Sequence, residues 1–128
     1  MPSTPVHLTN QETLAVLDIA LQVLQKEVHP EVTAARLSAL VAVMQNPGMP
    51  QQELQGRVHL AQQGISRAVT ALQGKKTKTG DGYPRLIIAT PKPDYSRANV
   101  LSATVDAGLL LNKITGQINK YLGSRPGA

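Results

Sequence analysis

The chain has 128 residues, a formal net charge of +5, no Cys, and three Tyr as its only aromatic residues besides histidine. That length points to one domain with a small core, built from Leu, Val, Ile and Ala because Phe and Trp are absent. The lack of Cys excludes disulfides, thiol catalysis and thiolate metal sites.

Residues 1–9 hold two prolines among small polar residues and are expected to be a flexible arm. Thr9 or Asn10 can cap a helix reaching about Val28, with Glu12 near its positive end. Leu14, Leu17, Leu21, Leu24 and Val28 form one stripe, and Val16, Ile19, Ala20 and Val23 flank it. So wide an apolar surface fits either a central core helix or one that packs on its own domain and on a partner chain. Pro30 fits the first turn of a second helix reaching about Gln45, with Leu37, Leu40, Val41 and Met44 buried. Asn46-Pro47-Gly48 is a stop and turn. A short helix over 51–58 and a further helix over 62–73 follow, joined at His59-Leu60.

The stretch 74–82 has three glycines, three lysines and no apolar residue, and is expected to be a flexible basic loop. Leu86-Ile87-Ile88 predicts a strand, Pro91, Pro93 and Asp94 a turn, and 98–103 the return strand. Thr104 then caps a last helix to about Leu122, with Asp106 in its first turn and Val105, Leu109, Leu111, Ile114, Ile118 and Leu122 as apolar surface. Residues 123–128 are a tail.

Charge is unevenly spread. Arg57, Arg67, Lys75, Lys76, Lys78, Arg85, Lys92 and Arg97 face only Asp81 and Asp94 within 57–97, while 1–56 is acidic on balance. A concentrated basic stretch suits phosphate binding, because each neutralised phosphate releases condensed counterions; a merely soluble basic surface is the alternative. In the centre, Leu54 and Val58 share one face of the short helix, Leu60 fills the turn, and Ile65, Val69 and Leu72 line the next helix. Two short helices with interlocking apolar faces are a helix-turn-helix. The opposite face of the second helix carries Gln62, Gln63, Ser66, Arg67 and Thr70. Gln pairs with adenine and Arg with guanine O6/N7 in a bidentate way, and this face has no carboxylate to repel a phosphate backbone. A basic hairpin directly after such a pair makes a winged helix.

From Leu37 to Leu122 the sequence resembles the MarR-type winged-helix transcription regulators. The resemblance is carried by residues 46–54 as the turn into the first reading helix and by Ile65-Ser66-Arg67-Ala68-Val69-Thr70-Ala71-Leu72 as the recognition helix. Asp94-Tyr95-Ser96-Arg97, with Leu101, Thr104 and Gly108, resembles the family's wing motif. His59 stands where the family has Gly, and Ala61 where it has a capping Ser or Thr, which weakens that helix start by ~1 kcal/mol.

The resemblance implies a mainly α fold with a small β-hairpin wing, dimerising through its N- and C-terminal helices. The expected organisation is dimerisation and core helices at 10–46, the winged helix-turn-helix at 47–103 and a C-terminal dimerisation helix at 104–122. It implies a sequence-specific double-stranded DNA-binding regulator, acting as a repressor. Gln62, Gln63, Ser66, Arg67 and Thr70 would read the major groove. Arg97, supported by Asp94, would reach the minor groove, and Lys75, Lys76, Lys78, Arg85, Lys92 and Ser96 are the further wing and backbone contacts. A partition or replication accessory protein of a plasmid or phage, or a protein-interaction module, is the alternative, since fold does not fix function.

His7, His29 and His59 are isolated, and no phosphate loop, nucleophile elbow or paired-carboxylate pattern occurs, so no metal, cofactor or catalytic activity is expected. A small-molecule effector is compatible with the resemblance, though nothing identifies one. The N-terminal stretch lacks the basic and apolar regions of a signal peptide, and no apolar run approaches the ~18 residues of a membrane span. The expectation is a cytoplasmic protein.

Overall fold

The computed structural model describes residues 7–74, 83–92 and 95–124, with side chains for all of these except 92 and 95–98. The element order is α1 (Asn10–Glu27), α2 (Ala34–Gln45), β1 (Met49–Pro50), α3 (Gln51–Leu54), α4 (Gln62–Leu72), β2 (Ile87–Lys92), β3 (Tyr95–Ala103) and α5 (Val105–Gly123). It is mainly helical, with a small three-stranded antiparallel sheet ordered β1-β3-β2.

The caps explain where the helices begin. Thr9 Oγ1 accepts the Glu12 amide at 3.1 Å, and the Thr9 amide donates to Glu12 Oε1 at 2.9 Å. This reciprocal pair satisfies two donors that the first turn would otherwise leave open. Thr104 Oγ1 accepts the Ala107 amide and also donates to the Arg85 carbonyl at 2.8 Å, so one hydroxyl starts α5 and ties it to the approach of β2.

Val41, expected to be buried in the second helix, is 52% exposed, and three expected element bounds shift. The second helix begins at Ala34 rather than at Pro30, because Thr33 Oγ1 accepts the Arg36 amide while the Val32 amide closes a turn onto the His29 carbonyl. The short helix ends at Leu54 rather than at 58. Beyond it the Gly56 and Arg57 amides bond three residues back, to the Glu53 and Leu54 carbonyls, tightening the coil into turns. Leu54 and Val58 are both buried even so. The wing strands are longer than their β-branched core: β2 runs through Pro91 to Lys92, and β3 starts at Tyr95. Pro91 fits because β2 is the outer strand, where a missing N–H leaves no ladder bond unmade. Met49–Pro50 pairs with Leu101 and Val100, a third strand too short to show in any periodicity.

The core lies between α2, α4 and the sheet. Val43, Leu54, Leu72, Leu86, Ile87 and Leu101 are fully buried there. α1 contributes little more than Val23 and Val28, and α5 Ala107 and Leu110. Leu14, Leu17 and Leu21 on α1, with Val105, Leu109 and Leu111 on α5, are left exposed.

Gly74 ends α4. Its φ is +76°, a left-handed conformation that lets the chain leave the helix, and its amide donates to the Ala71 carbonyl. A Cβ there would stand 3.4 Å from the Arg85 N, Cα and Cβ atoms. Gly74→Ala is expected to lower stability by ~1–2 kcal/mol, from left-handed strain with no gain in packing. Urea unfolding checks this as a fall in midpoint at unchanged slope.

Candidate nucleic-acid interface

The amphipathic sequence of α4 fixes which residues it presents. Ile65, Ala68, Val69, Ala71 and Leu72 are buried, with α2 packed against the helix. Gln62, Gln63, Ser66 and Arg67 consequently lie together on the exposed face, around one shallow surface hollow. Thr70, expected on that face, is half-buried and does not line the hollow. Ala61 takes the N-cap position with an extended backbone and no side-chain bond, as its methyl group requires. The α4 start therefore leaves amide donors without a side-chain partner, beside Gln62 and Gln63.

The other end of α4 is anchored to the wing. The Leu86 amide donates to the Leu72 carbonyl at 2.7 Å, and the Thr104 amide donates to the Leu86 carbonyl at 3.0 Å. The approach to β2 is thereby tied to α4 and to the start of α5 at once. Arg85 is exposed next to this junction. Lys92, Ser96 and Arg97 fall in the outer parts of β2 and β3, where the backbone alone is described. Lys92 pairs with Tyr95, and the register slips between Pro91 and Lys92, so Ser96 and Arg97 lie in the irregular segment of the hairpin. Lys75, Lys76 and Lys78 lie outside the described residues, as does Asp94.

The sequence reading missed a second set of residues beside α4. Gln51, Gln52 and Gln55 of α3 and the following turn, with Asn99 of β3, line a cleft against Gln62, Ile65 and Ser66. The signal is the pairing of Pro50 with Val100, which brings Asn99 to the start of α3; without β1 there was no reason to join them. A further missed feature lies at Tyr83. Tyr83 is buried, its ring stacked on His29 at 5.1 Å with the Arg36 guanidinium 4.9 Å from its centroid. The His29 Nδ1 accepts the Glu31 amide, which orients the ring.

Away from α4, Lys113 Nζ donates to Glu27 Oε1 at 2.6 Å and joins α5 to the end of α1. The Lys113 hydrogen bond and charge hold the Glu27 carboxyl below its ordinary range. Beside this pair, Pro84, Leu86, Leu109 and Leu110 line an open cleft of about 270 Å³. Among the described residues, no group of three His, Asp or Glu side chains gathers to hold a metal. No helix among them is long and apolar enough to cross a membrane.

No protein-family model and no curated protein matches the chain. Solved structures do. A transcriptional regulator of Thermotoga maritima, Tm0710, matches with a TM-score of 0.69 at 17% identity, over 88% of this chain and 71% of that one. MarR matches with a TM-score of 0.53 at 21% identity, over 90% and 81%. BpsR of Bordetella bronchiseptica, whose DNA binding is regulated by 6-hydroxynicotinic acid, matches with a TM-score of 0.53 at 16% identity, over 91% and 86%. At these identities the likeness is one of fold: the chain has the winged-helix fold of the MarR-type regulators.

Proposed function

We propose that this chain is a sequence-specific, double-stranded DNA-binding transcription regulator that works as a homodimer and represses by occupying its operator. The observation that carries this is the exposed α4 face, where Gln62, Gln63, Ser66 and Arg67 stand clear of a helix otherwise buried. Those side chains offer amide, hydroxyl and guanidinium groups, the ones that read base edges in the major groove. The wing sequence carries Arg85, Lys92 and Arg97, with Lys75, Lys76 and Lys78 in the preceding stretch; these supply phosphate contacts, and Arg97 the minor-groove contact. The uncovered leucines of α1 and α5 support dimerisation through those two helices. Two reading helices related by a two-fold would then address half-sites ~34–36 Å apart.

The cleft beside Glu27 and Lys113 is the proposed effector site. It lies where α1, α5 and the approach to the wing meet, so a bound molecule would act on the spacing of the two reading heads. BpsR's regulation by a small aromatic acid supports a ligand-responsive reading.

Arg67→Ala is the direct test of base reading. The expected result is a loss of ~1–3 kcal/mol for the preferred operator and relaxed preference at one base position, with little change on unrelated DNA. Lys75→Ala with Lys76→Ala is expected instead to weaken all sequences alike and flatten the salt dependence. Titration by gel shift at fixed salt separates the two. Full retention of specificity by Arg67→Ala would sink the assignment of α4 as the reading helix.

A further inference from the structure

The cleft between α3, α4 and β3 differs in chemistry from the rest of the basic surface around it. It encloses about 290 Å³ and is rimmed by Gln51, Gln52, Gln55, Gln62, Ser66 and Asn99. None of these side chains ionises. Its floor is reached by Ile65, whose surface is otherwise buried. Gln62 and Ser66 also border the hollow that holds Arg67, so the two depressions are contiguous along α4.

We infer that this cleft is a subsite for A·T base pairs, formed by three elements of the fold rather than by the reading helix alone. A carboxamide presents an acceptor and a donor side by side, which matches the N6 donor and N7 acceptor of adenine. Guanine shows two acceptors on the same edge and calls for two donors, as the Arg67 fork provides. The thymine methyl is the one apolar group on the major-groove edge, and among the described residues Ile65 is the one apolar side chain lining the cleft. A phosphate subsite would be expected to hold a cation, and among the described residues that line the cleft there is none. The half-site therefore carries an A·T step at the cleft and a G·C pair next to it at Arg67.

This rests on α4 being the reading helix, so the experiment separates the two. The full chain selects its preferred duplex from a randomised library at physiological salt. Affinities are then measured for that duplex with 7-deazaadenine in place of adenine, or deoxyuridine in place of thymidine, at the A·T step. The first change removes only the N7 acceptor and is expected to weaken binding about 10-fold. The second removes only the methyl and is expected to weaken it about 3-fold. Gln55→Ala with Asn99→Ala, both at exposed positions, should abolish the 7-deazaadenine effect yet keep discrimination at the neighbouring G·C pair. Equal affinity for adenine and 7-deazaadenine would overturn the subsite, as would a variant that weakens every sequence equally. Failure to bind any duplex would instead overturn the DNA-reading function beneath it.

Discussion

Replacing Leu17 and Leu21 on α1 and Leu109 on α5 by Glu is expected to convert the proposed dimer into a monomer and to lower operator affinity ~10²–10⁴-fold, the advantage that linking two reading heads confers. The three side chains are 53%, 48% and 60% exposed in the single chain, so they are not what holds it together. Burying a leucine fully is worth ~1.5–3 kcal/mol, and a dimer covers each of these positions twice. A carboxylate in their place must be desolvated without a partner, which opposes association far more than loss of the methyl groups alone. Because the substituted positions face away from the core, the monomer should keep its helical signal and thermal transition. Sedimentation checks the assembly state, and the same samples are titrated with operator. A variant that remains dimeric would remove α1 and α5 from the interface.

Leu101→Ala is expected to have the largest effect on stability, a loss of ~2–5 kcal/mol from truncation and the cavity it leaves. Leu101 is completely buried on β3, the central strand, paired with Met49 on one side and Ala89 on the other. Its carbonyl accepts the Gly48 amide at 2.8 Å, which fixes the turn into α3. Set against a total of ~5–15 kcal/mol for a domain, that loss brings the fold close to its midpoint at elevated temperature. The variant should bind operator normally in the cold, since Leu101 touches no exposed surface, and lose binding as it unfolds on warming. A urea midpoint shifted by the equivalent of less than about 1 kcal/mol would contradict this account of the sheet's centre.

The helical parts of the fold were legible because their signals are local. Leu54, Val58, Ile65, Val69 and Leu72 sit at helical spacing and are buried, and Thr9 and Thr104 cap as their positions predict. The exposed α4 face follows from the same periodicity, though Thr70 turns partly inward. The sheet was less legible. β1 has two residues, and its existence depends on Leu101 and Val100 far along the chain. Pro91 reads as a turn residue, and only its place on an outer strand makes it a strand residue. The amide cleft was invisible for the same reason, because Gln55 and Asn99 meet through a strand pair that no local pattern announces.

Pro91 also bears on how the protein behaves in concentrated solution. β2 is the outer strand, and an open strand edge can recruit the backbone of another chain into a growing ladder. Pro91 removes one donor from that edge, and the Leu86 amide just ahead of the strand is already bonded to Leu72. That interruption weakens the edge as a template. A molecule proposed to pair through its helices is thereby kept from pairing through its wing.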